Sequence, residues 1–132
     1  MCPRRGVIIF PVAVHAAALG ATTAALGPAE GLAGELGPWD ITVNCYAPGM
    51  IPTEINGFSR LSQERQRRLL DTLTFRRWGE AREVANLICF LASDLAGYIT
   101  GTMIDVSGGK LATQIPRLAW EAAAAEGVVS LD

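Results

Sequence analysis

At 132 residues, with 50% of them hydrophobic, the chain is long enough to bury a modest core and holds one domain at most. A net charge of −2 and a pI near 5.4 argue against an electrostatic footprint for nucleic acid. Mean hydropathy is +0.28, much of it from alanine, yet no stretch supplies the roughly 18 uncharged apolar residues of a membrane span.

The first element is the apolar, β-branched run Val7 to Val12, which predicts a parallel strand buried on both faces. Arg4 and Arg5, the apolar stretch to Val14 and the small residues Ala16 to Ala18 also have the outline of a secretory signal. Against that reading, the stretch is short and contains Pro11, so a strand in a cytoplasmic protein is expected. The uncharged segment Gly6 to Gly27 is likewise diluted by Pro11, Thr22 and Thr23.

Residues 16 to 36 are rich in Ala and Leu and end at Gly37-Pro38, a helix with its stop and terminator. Gly27-Pro28 falls inside this helix. Proline there removes the bond to the Ala24 carbonyl and costs roughly 3 kcal/mol in a straight helix, so a kink is expected, with Pro28 opening a second segment. Ile41 to Ala47 predicts a second strand ended by Pro48-Gly49. A loop over residues 50 to 60 leads to a polar helix from Ser62 to Leu73. Glu80 to Ala92 is amphipathic, with Val84, Leu87, Ile88 and Leu91 at helical spacing. Thr102 to Val106 predicts a third strand, stopped by Gly108-Gly109. Leu118 to Glu126 contains an alanine run with good helix propensity, either a terminal helix or a frayed tail.

Strand, helix, strand, helix, strand implies an α/β fold with a parallel sheet. Cys2, Cys45 and Cys89 lack CxxC or metal-like spacing, which fits reduced thiols. Arg60, Arg65, Arg67, Arg68, Arg76 and Arg77 concentrate positive charge. They read as a solvated helix face, with docking of an acidic ligand or carrier protein as the alternative.

Three spaced elements carry a family resemblance: Ile41-Thr-Val-Asn-Cys-Tyr-Ala-Pro-Gly-Met-Ile-Pro-Thr53, Arg77-Trp-Gly-Glu-Ala-Arg-Glu-Val-Ala85, and Phe90 to Gly109 with Tyr98-Ile-Thr-Gly101 and Ser107-Gly-Gly109. Together they resemble the C-terminal half of a short-chain dehydrogenase/reductase, closest to 3-oxoacyl-[acyl-carrier-protein] reductases. Ala81 replaces the family's proline, and Ser107 replaces the usual Asp before Gly-Gly. The resemblance implies a partial Rossmann-like three-layer fold with about three parallel strands, in residues 1–109, followed by a C-terminal extension over 110–132.

It also implies NAD(P) as cofactor. Pro48, Gly49, Ile51 and Thr53 occupy the turn that holds the nicotinamide end in the family, at a strand's carboxyl end where ligands bind in such sheets. Met50 to Leu73 corresponds to a flap over the substrate, or to a plain surface loop and helix without a ligand. Family members pair through the long helix and through the last helix and strand, so a homo-oligomer or an assembly with a complete family member is expected.

The family reduces a carbonyl with a Tyr acid, a Lys four residues later and an upstream Ser. Alignment of the first helix places Leu19 at the Tyr position and Thr23 at the Lys position, with Ala13 near the Ser position. Leucine donates no proton and threonine carries no charge. Tyr46 is followed four residues later by Met50, Tyr98 by Thr102, and the only lysine is Lys110. His15 reads as a loop residue. No Gly-rich strand-to-helix turn is present to hold a pyrophosphate. The expectation is an oxidoreductase relative inactive alone, or an interaction module built on that fold.

Overall fold

The computed structural model describes residues 6–11, 19–112 and 115–130, and within the first helix the side chains of residues 27 and 29–36 only. Val12, Ala13 and His15 lie outside the described residues. Two compact units make up the chain: Met1–Gly49 with Glu80–Val106, and Met50–Gly79 with Ser107–Asp132.

The first unit is α/β. Strands β1 (Gly6–Pro11), β2 (Ile41–Pro48) and β3 (Met103–Val106) form one parallel sheet with β2 in the centre. Gly6 pairs with Ile41 and Pro11 with Tyr46, while Cys45 pairs with Met103 and Pro48 with Val106. Central position explains the composition of β2. Val43, Cys45 and Ala47 are buried on one face, and Thr42 and Asn44 on the other.

Helix α1 (Leu19–Leu36) crosses from β1 to β2 as a single element through Gly27-Pro28 and ends in a 3-10 turn over Gly37–Trp39. The expected division at Pro28 is therefore not seen. The half after Pro28 buries Ala29 completely and Ala33 almost completely, and α1 packs on β2, so packing offsets the bond forfeited at the proline. Gly101 lies against this half of the helix, where a Cβ built on it would stand in ordinary contact, 3.5 Å, with the Ala33 Cβ. Gly101 also takes a left-handed φ of +71°, which its own lack of a Cβ permits.

Helix α3 (Ala81–Ala92) begins with a capping box, in which the Glu83 carboxylate accepts the Glu80 N–H at 2.8 Å. Its apolar face half-buries Val84, Leu87 and Ile88 and fully buries Leu91.

In the second unit, helix α2 spans Gln63–Leu70, shorter than the sequence suggests. Ser62 caps it, its hydroxyl accepting the Arg65 N–H at 3.4 Å. The chain then leaves the helix at Asp71 and buries Leu73. The segment after Gly108 is fastened to this stretch. Phe75 N–H donates to the Gly108 carbonyl at 3.2 Å, and Lys110 Nζ donates to Thr72 Oγ1 at 2.6 Å. Helix α4 (Pro116–Ala125) starts at a proline, tolerated in a first turn, and its Trp120 indole N–H donates to the Thr74 carbonyl at 2.7 Å. Among the described residues, no helix is long and apolar enough to cross a membrane.

Candidate functional site

Strand β2 delivers Pro48 and Gly49 to its carboxyl end. Gly49 N–H donates to the Val106 carbonyl at 3.1 Å, which holds the turn beside the carboxyl end of β3. A polar group inside the first unit aligns these two strands. Buried Asn44 donates its Nδ2 to the Ile99 carbonyl at 2.9 Å and accepts the Thr102 N–H on Oδ1 at 3.4 Å. The Thr100 hydroxyl accepts the Val43 N–H at 3.0 Å. Tyr98-Ile-Thr-Gly101 is thus the segment that supplies hydrogen-bond partners to β2. Gly49 is absent from the residues with left-handed φ, so its backbone conformation does not demand glycine.

Ile51 and Thr53 belong to the second unit, and Asn56 organises them. Its Nδ2 donates to the Ile51 carbonyl at 2.6 Å, its Oδ1 accepts the Thr53 N–H at 3.0 Å, and its N–H donates to Thr53 Oγ1 at 3.3 Å. These contacts leave two donors on one short loop without a protein acceptor among the described residues, the Ile51 N–H and the Thr53 hydroxyl proton. A carboxamide oxygen and a phosphate oxygen are acceptors of the kinds such donors take. Asn56 was not singled out as a positioning residue by its sequence. The signal was Asn56-Gly57, a turn dipeptide, with Gly57 at φ +62°.

Leu19 is the first residue of α1 and Thr23 follows one turn later. Ala13 lies outside the described residues. Lys110, the sole lysine, is engaged with Thr72. Among the described residues no cluster of His, Cys, Asp and Glu has the makings of a metal site. Cys45, within β2, is fully buried, and burial pushes its thiol pKa up from the ordinary 9.0.

The parallel sheet of the first unit, with a turn at the carboxyl end of its central strand, defines an α/β scaffold of Rossmann-like type. The family described as enoyl-(acyl carrier protein) reductase matches residues 11–110, and the chain belongs to this short-chain dehydrogenase/reductase family. It is 49% identical over 86 residues to an uncharacterized short-chain type dehydrogenase/reductase, y4mP, of Sinorhizobium fredii, a match covering 65% of this chain and 34% of that protein. It is 42% identical over 84 residues to the 3-oxoacyl-[acyl-carrier-protein] reductase FabG of Aquifex aeolicus, covering 64% and 33%. Human dehydrogenase/reductase SDR family member 4 is 42% identical over 87 residues, covering 66% and 31%. The matches thus span about a third of the length of these curated relatives.

Among solved structures, YwfH, an NADPH dependent reductase involved in bacilysin biosynthesis, superposes with a TM-score of 0.68 at 29% identity, covering 80% of this chain and 47% of that one. A blue fluorescent protein from a metagenomic library, in complex with NADPH, superposes with the same TM-score at 32% identity, covering 80% and 45%.

Proposed function

We propose that this chain carries the nicotinamide-side wall of an NAD(P)-dependent short-chain oxidoreductase of the 3-oxoacyl-carrier-protein reductase type, without the proton-transfer pair. The observation that carries it is the Pro48-Gly49 turn, tied through Gly49 N–H to Val106 at the carboxyl ends of β2 and β3, where such sheets bind ligands. Pro48 and Gly49 border the nicotinamide ring, the Ile51 main chain pairs with the carboxamide, and the Thr53 hydroxyl donates to a phosphate. Bound NAD(P) would supply the hydride. Reduction of a carbonyl also needs a proton donor, and no register of α1 provides one, because no Tyr is followed four residues later by Lys anywhere in the sequence. The chain alone is therefore inactive in turnover.

Titration with NADPH and NADH, followed by nicotinamide fluorescence, tests the cofactor reading. Saturable binding supports it, and no binding at millimolar cofactor would refute it.

A second reading, assembly with another copy or with a complete family member, is favoured by apolar side chains left in solvent after α3. Leu95 is 83% exposed and Tyr98 fully so. Among the described residues β1 is an edge strand, and its Ile8 is exposed. Light scattering after size exclusion decides it, and a monodisperse monomer would count against assembly. Free Cys45 and Cys89 support a reducing compartment, the cytoplasm.

A further inference from the structure

The second unit contains an open pocket of about 440 Å³ between α2 and α4, a size within the range that holds small organic ligands. Its chemistry is cationic on one side and apolar on the other. Arg67 and Arg76 both line it, and among the described lining residues Asp71 is the carboxylate that opposes them. Arg76 Nη2 contacts Asp71 Oδ1 at 2.5 Å, and its guanidinium lies 5.2 Å from the centre of the Trp120 ring. Trp120 is itself anchored by its indole bond to Thr74. Arg76 takes a left-handed φ of +49°, uncommon for a residue with a Cβ, and the ion pair and the ring contact hold it there.

Arg67 has no such commitment. It forms no ion pair among the described residues, and its neighbour Glu64 instead engages Arg68 at 2.9 Å. Among the described residues of the lining, two guanidiniums face one carboxylate, an excess of one positive charge. A planar fork of donors is the group best matched to a carboxylate. Leu70 and Trp120 supply apolar surface alongside it, and the Gln66 amide is fixed by donating to the Leu61 carbonyl at 2.8 Å.

We propose that this pocket binds a small monocarboxylate with an apolar body, its carboxylate on Arg67 and its body against Leu70 and Trp120. Trp120 lies outside residues 11–110 that match the family, so the site draws on a segment beyond that match. It is independent of the nicotinamide reading and requires no cofactor.

The test is calorimetric titration of the full chain, without nucleotide, with three probes: benzoate, the neutral isostere benzamide, and inorganic phosphate. For a ligand this small, a dissociation constant of about a millimolar is expected for benzoate. Benzamide, lacking charge, and phosphate, lacking an apolar body, should each bind at least about tenfold more weakly. Arg67→Gln, at an exposed helix position, should keep the circular dichroism spectrum and weaken benzoate by about tenfold, as expected for loss of a charge-assisted bond. The Trp120 indole N–H resonance should shift with benzoate along the same isotherm. Non-saturable benzoate heats, equal binding of benzamide, or an Arg67→Gln variant that binds benzoate as well as the parent would each overturn the proposal.

Discussion

Asn44 donates its side-chain amide to the Ile99 carbonyl at 2.9 Å, across more than fifty residues of sequence and with no exposure to solvent. One side chain therefore joins the central strand to the segment that leads into β3, and its Oδ1 extends the link to the Thr102 N–H. A polar residue is stable at this depth only because both ends of its amide are satisfied.

Replacing it tests that link. Asn44→Ala leaves the Ile99 carbonyl and the Thr102 N–H without their partner and is expected to cost about 2–3 kcal/mol. Asn44→Asp keeps the acceptor but turns a donor into a second acceptor facing Ile99, so it should not rescue. Urea denaturation of the three proteins measures both effects.

Gly49 makes the opposite prediction. Its φ is not left-handed, so Gly49→Ala should change stability by no more than about 1 kcal/mol. If the turn borders the nicotinamide ring as proposed, a methyl group there would meet it. NADPH affinity is expected to fall by about tenfold, close to 1.4 kcal/mol, while the urea midpoint stays near that of the parent.

Gly108 and Gly109 both take left-handed φ, but their surroundings differ. A Cβ at Gly108 would meet Phe75 at 3.7 Å, ordinary contact, whereas one at Gly109 would reach Thr74 Oγ1 at 2.5 Å and Thr74 Cβ at 2.6 Å. Gly108→Ala should therefore cost about 1 kcal/mol, from backbone strain alone. Gly109→Ala should cost distinctly more, above about 2 kcal/mol, because it also displaces the hydroxyl that donates to the Gly109 carbonyl at 2.9 Å. Thermal melts of the two variants give the order.

Much of this architecture was legible in the sequence, for identifiable reasons. The β-branched run from Val7 and the Ile41 to Ala47 segment both form parallel strands, but only β2 is buried on both faces; β1, expected to be so too, is the edge strand of the described sheet and leaves Ile8 exposed. Amphipathic α3 was readable from Val84, Leu87, Ile88 and Leu91. At Pro28 a separate second segment was expected, since local propensity opposes a continuous helix there, whereas one helical element runs through it and buries Ala29 and Ala33. Helix α2 was read too long because Asp71, Thr72 and Leu73 look helical, yet they turn to meet Lys110 and the segment after Gly108. The role of Asn56 was hidden for a related reason. A loop asparagine is ordinary, and only its three bonds to Ile51 and Thr53 mark it as the organiser of that loop.

Thiol chemistry gives a further check. Exposed Cys89 should alkylate rapidly with iodoacetamide, and buried Cys45 only on unfolding, as peptide mass spectrometry would show. The folded-state pKa of Cys45 is raised above the ordinary 9.0, so the unfolded chain loses its thiol proton first. The stability associated with neutral Cys45 is thus fully present below pH 9.0 and declines as pH rises from there through the higher folded value. Cys45→Ala should flatten that alkaline decline in urea titrations, and an unchanged slope would assign it to other groups.

On the proposed reading, the chain carries a short-chain reductase scaffold without the family's Tyr and Lys pair. That reading is tested most directly by supplying the purified chain with NADPH and an acetoacetyl thioester and following loss of the reduced nicotinamide. Oxidation no faster than the protein-free blank is expected, even at cofactor concentrations that saturate any binding. Thioester-dependent oxidation of NADPH that co-purifies with this chain, with the hydroxyacyl product formed in equal amount, would contradict it.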